Sequence, residues 1–269
     1  MKDQREIWYS EAERVSVTIV DVTSAAQELV KGHLCGPTSA YFLARGLAAA
    51  ALLGSEMEEK DEVLSIQMKC TGPLGGLNVE CTSRGTLRGY TVKKILDDFD
   101  GMGMPPDEKG VVGSRQVQVT RSVPGHILSQ GLARSLDDYL RNSLQRKARI
   151  YLEASVSDDV EVLVARGVLV EILPDSSLGT ELLDRLGLRS LSVASRTILT
   201  SFGIGHAELK RTDLLSFACT CSRGRAEAML RALGDEDRKS LPAVIDVTCH
   251  MCGRTFSLPT ASFAGNDNI

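Results

Sequence analysis

Two short cysteine pairs lie near the end of the chain, Cys219-Thr220-Cys221 and Cys249-His250-Met251-Cys252. A stretch of 27 residues separates them, so four of the seven cysteines fall within 34 residues. This is ligand spacing: each short pair can place two sulfurs on one side of an ion. Four thiolates suit a single Zn²⁺ held in a tetrahedron, with Zn–S bonds of about 2.3 Å. The candidate metal ligands are Cys219, Cys221, Cys249 and Cys252. The spacing alone leaves two roles open, a purely structural ion or a centre whose oxidation changes the protein's state. His250 and His206 are spare nitrogen donors nearby, and His250 reads as an exposed side chain between two ligands.

The neighbouring residues predict how the pairs are held. Gly253 follows the second pair and suits a tight turn, because glycine accepts positive φ. Ile245 to Thr248 and Thr255 to Leu258 are β-prone and predict a hairpin with the pair at its tip. After the first pair, Ser222 is a good N-cap. Ala226, Met229, Leu230 and Leu233 follow at helical spacing, and Gly234 predicts the helix end.

The remaining cysteines, Cys35, Cys70 and Cys81, have no pairing and read as small buried hydrophobes. His33 and His126 lie in turn-rich segments without partner motifs. The chain has no G-x-S-x-G or H-E-x-x-H motif, and no constellation for acid–base or nucleophilic catalysis. A non-enzyme is expected.

Composition sets the wider bounds. The 269 residues suffice for one large domain plus a small one. Aromatic residues are only 4%, so the core must be aliphatic. A net charge of −4 argues against nucleic acid and anionic membranes as general partners. The first residues are charged and form no signal-peptide core, and the longest apolar run, Leu47 to Leu53, is too short to span a bilayer. A cytoplasmic protein is expected, and in a reducing cytosol clustered cysteines point to metal or redox chemistry.

The elements that must position the thiols follow in order. Val15 to Val20 predicts a strand with one buried face, and Pro37 to Leu53 an Ala-rich helix capped by Gly54. Three strands, Val63 to Lys69, Leu77 to Thr82 and Leu87 to Val92, form a meander joined by glycine turns. Asp97 to Gly113 reads as a loop, Val117 to Val123 as a strand and Ala133 to Lys147 as a helix. Arg149 to Val156 and Glu161 to Leu173 are further strands. Leu178 to Leu188 and Val193 to Phe202 read as short helices with little core of their own, and His206 to Thr212 as a polar segment. The expected class is α+β: an N-terminal core domain with antiparallel sheets (1–177), a helical linker arm (178–218), a small Cys₄ zinc-binding domain (219–259) and a flexible tail (260–269).

The segment Cys219-Thr-Cys-Ser-Arg-Gly-Arg, together with Val247-Thr-Cys-His-Met-Cys-Gly253, resembles the redox-regulated 33-kDa heat-shock chaperone family (33-kDa chaperonin). Further matches are Gly72 to Gly76 as G-P-L-G-G, Arg88-Gly89-Tyr90, Tyr139 with Ser143 and Gln145, and Ile172-Leu173-Pro174. Departures fall at Leu144 and Lys147, and at Arg166 and Glu171. The resemblance implies an ATP-independent holdase that binds unfolding client proteins. It implies one Zn²⁺ per reduced chain. It implies disulfides Cys219–Cys221 and Cys249–Cys252 on oxidation, loss of the metal, and a homodimer when active. The alternative from another class is a zinc-ribbon nucleic-acid-binding protein with a structural metal. That reading needs a basic face, yet Gly205 to Leu258 holds eight Lys or Arg against seven Asp or Glu.

Overall fold

The computed structural model describes residues 2–260. The chain opens on a hairpin, β1 (Gln4–Ser10) and β2 (Val15–Asp21). The strand β1 escapes sequence reading because it is largely polar, yet its Arg5 is buried against Asp213. Two helices follow, α1 (Thr23–His33) and α2 (Pro37–Leu53). The residue at the N-cap of α1, Val22, has no capping side chain, and of the first helix amides Asp21 accepts only that of Thr23, at 3.1 Å. Instead the Asp3 carboxylate, some twenty residues back, accepts the Ser24 and Ala25 amides at 3.0 and 2.6 Å.

The helix α2 is apolar on every side and is buried along nearly its whole length. It packs between two sheets. Its alanines and Gly46 let strands approach closely; a Cβ at Gly46 would stand 3.2 Å from Val79 Cγ1.

One sheet has six strands. The expected meander is β3 (Val63–Cys70), β4 (Gly76–Thr82) and β5 (Thr86–Thr91). The expected loop after it contains a one-turn helix, α3 (Glu108–Val112), capped by Asp107. A second hairpin, β6 (Arg115–Val123) and β7 (His126–Ala133), completes the edge. The helix expected over 133–147 is much shorter. It is α4 (Leu136–Asp138), capped by Ser135 and continued by a π-turn, Tyr139–Ser143. Its flanks are strands: Ala133 ends β7 and Lys147 begins the next strand.

The other sheet has the order β10-β1-β2-β9-β8, with β8 (Lys147–Val156), β9 (Val162–Ile172) and β10 (Glu208–Leu214). The strand β2 was expected to bury one face; it buries both, because Val15, Val17 and Ile19 face one layer while Val20 faces α2. The outer layer is the arm. A short 3₁₀ turn, Thr180–Asp184, and α5 (Ser195–Ser201) stand where helices were expected. The expectation of little core is corrected. Leu182, Leu183, Leu191, Ile198, Leu199 and Phe202 pack on Trp8, Val17, Val168 and Val170 as a second core.

Polar fasteners hold this layer down. Arg166 pairs with Asp21 at 2.7 Å and donates to the Leu191 and Val193 carbonyls. Glu171, the other departure in this stretch, pairs with Arg146. Arg196 lies over the Trp8 ring and donates to the Gly205 and Ala207 carbonyls. The segment after α5, expected to be simply polar, is β10. It pairs with β1, and Arg5 grips its Asp213 at 2.7 Å.

A two-residue strand, β11 (Ser216–Phe217), lies parallel to β5 and leads into the C-terminal module. That module is α6 (Arg223–Arg231), α7 (Asp235–Lys239) and the hairpin β12 (Val244–Thr248) and β13 (Thr255–Pro259). Of the expected tail, residues beyond 260 lie outside the described residues. Among the described residues, no helix is long and apolar enough to cross a membrane.

Phe202, 1% exposed, fills the arm's core. Phe202→Ala should cost about 3–5 kcal/mol. A urea titration measures the loss, and limited proteolysis should cut first within 178–207.

Candidate metal centre

The hairpin forms as expected, and its tip carries Cys249 to Cys252. The Cys249 amide donates to the Arg254 carbonyl, and the Gly253 amide donates to the Cys249 carbonyl, both at 2.9 Å. Gly253 has φ +73°, the left-handed turn that its position required. On the other side Ser222 caps α6, its hydroxyl accepting the Arg225 amide at 3.2 Å. Two expectations for α6 need correction. Ala226 and Leu230 are buried against Leu258, but Met229 is 69% exposed and Leu233 is also exposed. The helix stops at Arg231, and Gly234 caps the start of α7 rather than ending α6.

The structure brings all four predicted sulfurs together. They lie within 4.8 Å of one another, half-buried or buried. Cys219 Sγ is 3.8 Å from Cys249 Sγ, and Cys221 Sγ is 3.4 Å from Cys252 Sγ. A tetrahedral ion with bonds of about 2.3 Å requires sulfurs about 3.8 Å apart. The four cysteines can therefore hold a metal ion, and their donor set and spacing fit a tetrahedral zinc.

Burial opposes ionisation of Cys219, Cys221 and Cys252, but these sulfurs differ. Burial resists the Cys219 thiolate, yet the Cys221 amide and the other three thiols solvate it and bring it down to about 7. Burial, reinforced by hydrogen bonds within the cluster, pushes Cys221 far up. Burial also raises Cys252, against a hydrogen bond from the Arg254 amide. A nearby cation would favour the ionised form of Cys221 and Cys252.

The module is docked on the body by contacts that sequence reading did not find. The Gly89 amide of β5 donates to the Met251 carbonyl at 3.1 Å. His33 sits buried at the end of α1, with Nε2 2.8 Å from the Gly89 carbonyl. Desolvation lowers its pKa and favours the neutral ring, against the raising effect of that carbonyl. The Tyr90 and His250 rings meet edge-on at 5.9 Å. Gly32 and Gly253 touch: a Cβ on Gly32 would stand 2.7 Å from the Cys252 carbonyl oxygen, and one on Gly253 would overlap the Gly32 carbonyl oxygen. Arg88-Gly89-Tyr90 was legible as a motif but not as a docking site, because nothing in the motif names its partner.

His250 is exposed between the ligands as expected; His206 and His126 are exposed elsewhere. Cys35 and Cys81 are buried, and burial pushes both thiols up to about 11. Cys70 is only half-buried, so its reading as a fully buried hydrophobe is corrected. Among the described residues, the four C-terminal cysteines form the sole group with metal-ligand geometry.

Two sheets around a buried helix, with a four-thiol module at the C-terminal end, define an architecture already solved. The 33 kDa chaperonin (heat shock protein 33 homologue) of Thermotoga maritima superposes with a TM-score of 0.85 at 19% identity, covering 98% of this chain and 97% of that one. Sequence comparison narrows the class. The Hsp33 protein family matches residues 3–259. The 33 kDa chaperonin of Symbiobacterium thermophilum is 28% identical over 258 residues, covering 87% of this chain and 86% of its own length. That of a Thermus thermophilus strain is 28% identical over 278 residues, covering 89% and 79% respectively. The chain belongs to the Hsp33 family of chaperones.

Gly253→Ala tests the docking contact. A side chain at positive φ costs about 1–2 kcal/mol, before the overlap with Gly32. The Gly89 amide should exchange with solvent about tenfold faster or more, read by hydrogen-exchange NMR.

Proposed function

We propose that this protein is a redox-regulated, ATP-independent holdase of the cytoplasm. It would bind unfolding proteins under oxidative stress and prevent their aggregation, acting as a homodimer. Cys219, Cys221, Cys249 and Cys252 hold one Zn²⁺ per reduced chain. The carrying observation is the four-sulfur cluster, set a few residues beyond an arm that covers an apolar sheet face.

Zinc, when bound, keeps the sulfurs anionic and cross-links the two pairs. The thiolate is the species an oxidant attacks. Two thiolates surrender two electrons to one hydrogen peroxide, which leaves as two hydroxide ions while an S–S bond forms. The pairs are Cys219–Cys221 and Cys249–Cys252, so two peroxides consume the cluster. Disulfide sulfurs are not anionic ligands, and nothing then ties 219–221 to 249–252. The buried apolar residues left inside the module, Ala226, Leu230 and Leu258, are too few to keep it folded. Freed from the module, β10 and the arm release the sheet face bearing Trp8, Val17, Val168 and Val170 to client chains. The Cys219–Cys221 ring is very small and strained, hence easily reduced, which makes the switch reversible.

In the folded cluster sulfurs of different motifs touch, Cys219 with Cys249 and Cys221 with Cys252. Pairing within each motif still suits a switch, because it lets the two halves separate; a Cys221–Cys252 bond would staple them together.

The test is zinc content, thiol count and client protection before and after peroxide at mild heat. One zinc per chain should be released as four of the seven thiols disappear. The oxidised protein should then suppress light scattering by a denatured enzyme without ATP. Disulfide mapping should find only the two within-motif bonds. An oxidised, zinc-free sample that lets the enzyme aggregate would overturn the reading.

A further inference from the structure

The body of the protein places one cation at the thiol cluster. Arg88, on β5, sends Nη1 to Thr220 Oγ1 at 3.1 Å and to Cys219 Sγ at 3.9 Å. Its other edge is held by Glu80, directly opposite on β4, which accepts from Nε at 2.7 Å and from Nη2 at 2.6 Å. Both side chains are largely buried, so their charges are weakly screened by salt. Arg225 also reaches Thr220 Oγ1, at 2.7 Å, but it is exposed and belongs to the module itself.

We infer that Arg88 is a positioning residue for the thiolate set, controlling from the body how tightly the module retains its metal. The inference rests on the reading that the four cysteines hold zinc. Four thiolates around a dication carry a net charge of 2−. A guanidinium beside Cys219 offsets part of that charge and supplies a charge-assisted hydrogen bond. Glu80 works both ways. It fixes the guanidinium in place, and its own negative charge cancels part of the field the sulfurs receive. Arg88 is fixed in a strand that stays with the body, so the sulfurs have this cation only while the module is docked. Undocking removes it and weakens retention, and loss of the metal loosens docking in turn. Arg88, matched by sequence pattern alone, thereby gains a chemical role.

The experiment follows zinc transfer from the reduced, zinc-loaded full chain to excess chromogenic chelator. Arg88→Gln should release zinc about tenfold faster, the equivalent of one lost charge-assisted hydrogen bond. Arg88→Lys should restore part of the retention. Glu80→Gln should move the opposite way and release zinc more slowly, a result that a mere packing role would not give. Arg225→Gln should change the rate less than about twofold. Wild-type rates for Arg88→Gln, or acceleration by both Arg88→Gln and Glu80→Gln, would overturn the inference. A natural protein that purifies without zinc would instead defeat the metal reading beneath it.

Discussion

A module of about forty residues cannot stay folded on three buried apolar side chains, and this constraint governs the C-terminal end. Among the described residues, Ala226, Leu230 and Leu258 are the fully buried members of its hydrophobic cluster, with Leu241, Ile245, Val247 and Phe256 only partly buried against them. Domains of ordinary size retain only about 5–15 kcal/mol of net stability, while a structural zinc site supplies about 10–16 kcal/mol of apparent folding energy. The contacts among the four sulfurs are therefore the module's core in all but name. The rest of the module is arranged to present them: a serine cap starts α6 after one pair, and a glycine turn closes the hairpin beneath the other.

The body shows the opposite economy. Its central helix is so apolar that two sheets are needed to cover it, and β2 lies between two cores. One sheet finds its second cover only in residues far along the chain. The arm between β9 and β10 supplies that cover with aliphatic side chains and Phe202, and Arg166 and Arg196 hold it in place. It is rooted enough to be ordered, yet has no layer beyond it.

The chemistry was far more legible than the layout. Spacing identified all four thiols, the cap at Ser222 and the turn at Gly253, because each depends on residues adjacent in sequence. Where partners are remote, sequence reading failed. The helix α1 is capped by Asp3, and β1 is a strand because Arg5 finds Asp213 more than two hundred residues away. Leu178 to Leu188 has helical spacing, but it settles as a single 3₁₀ turn on a sheet that dictates its path. Met229 has the right period for a buried position and still faces solvent, because the module has too little interior to receive it. His33 gave no signal at all; its partner is a backbone carbonyl, which no side-chain pattern can announce.

The junction between β10 and the first cysteine has a mechanical consequence. From Leu214 to Cys219 there are five steps of chain, which fully stretched span about 17 Å. Along them Leu215 is buried, and the Ala218 amide donates to the Leu87 carbonyl. Cys219 cannot be carried further than that reach without peeling a strand from the edge of the five-stranded sheet. A displacement of the sulfurs beyond that reach would therefore pull on β10, which is paired with β1 at the sheet edge.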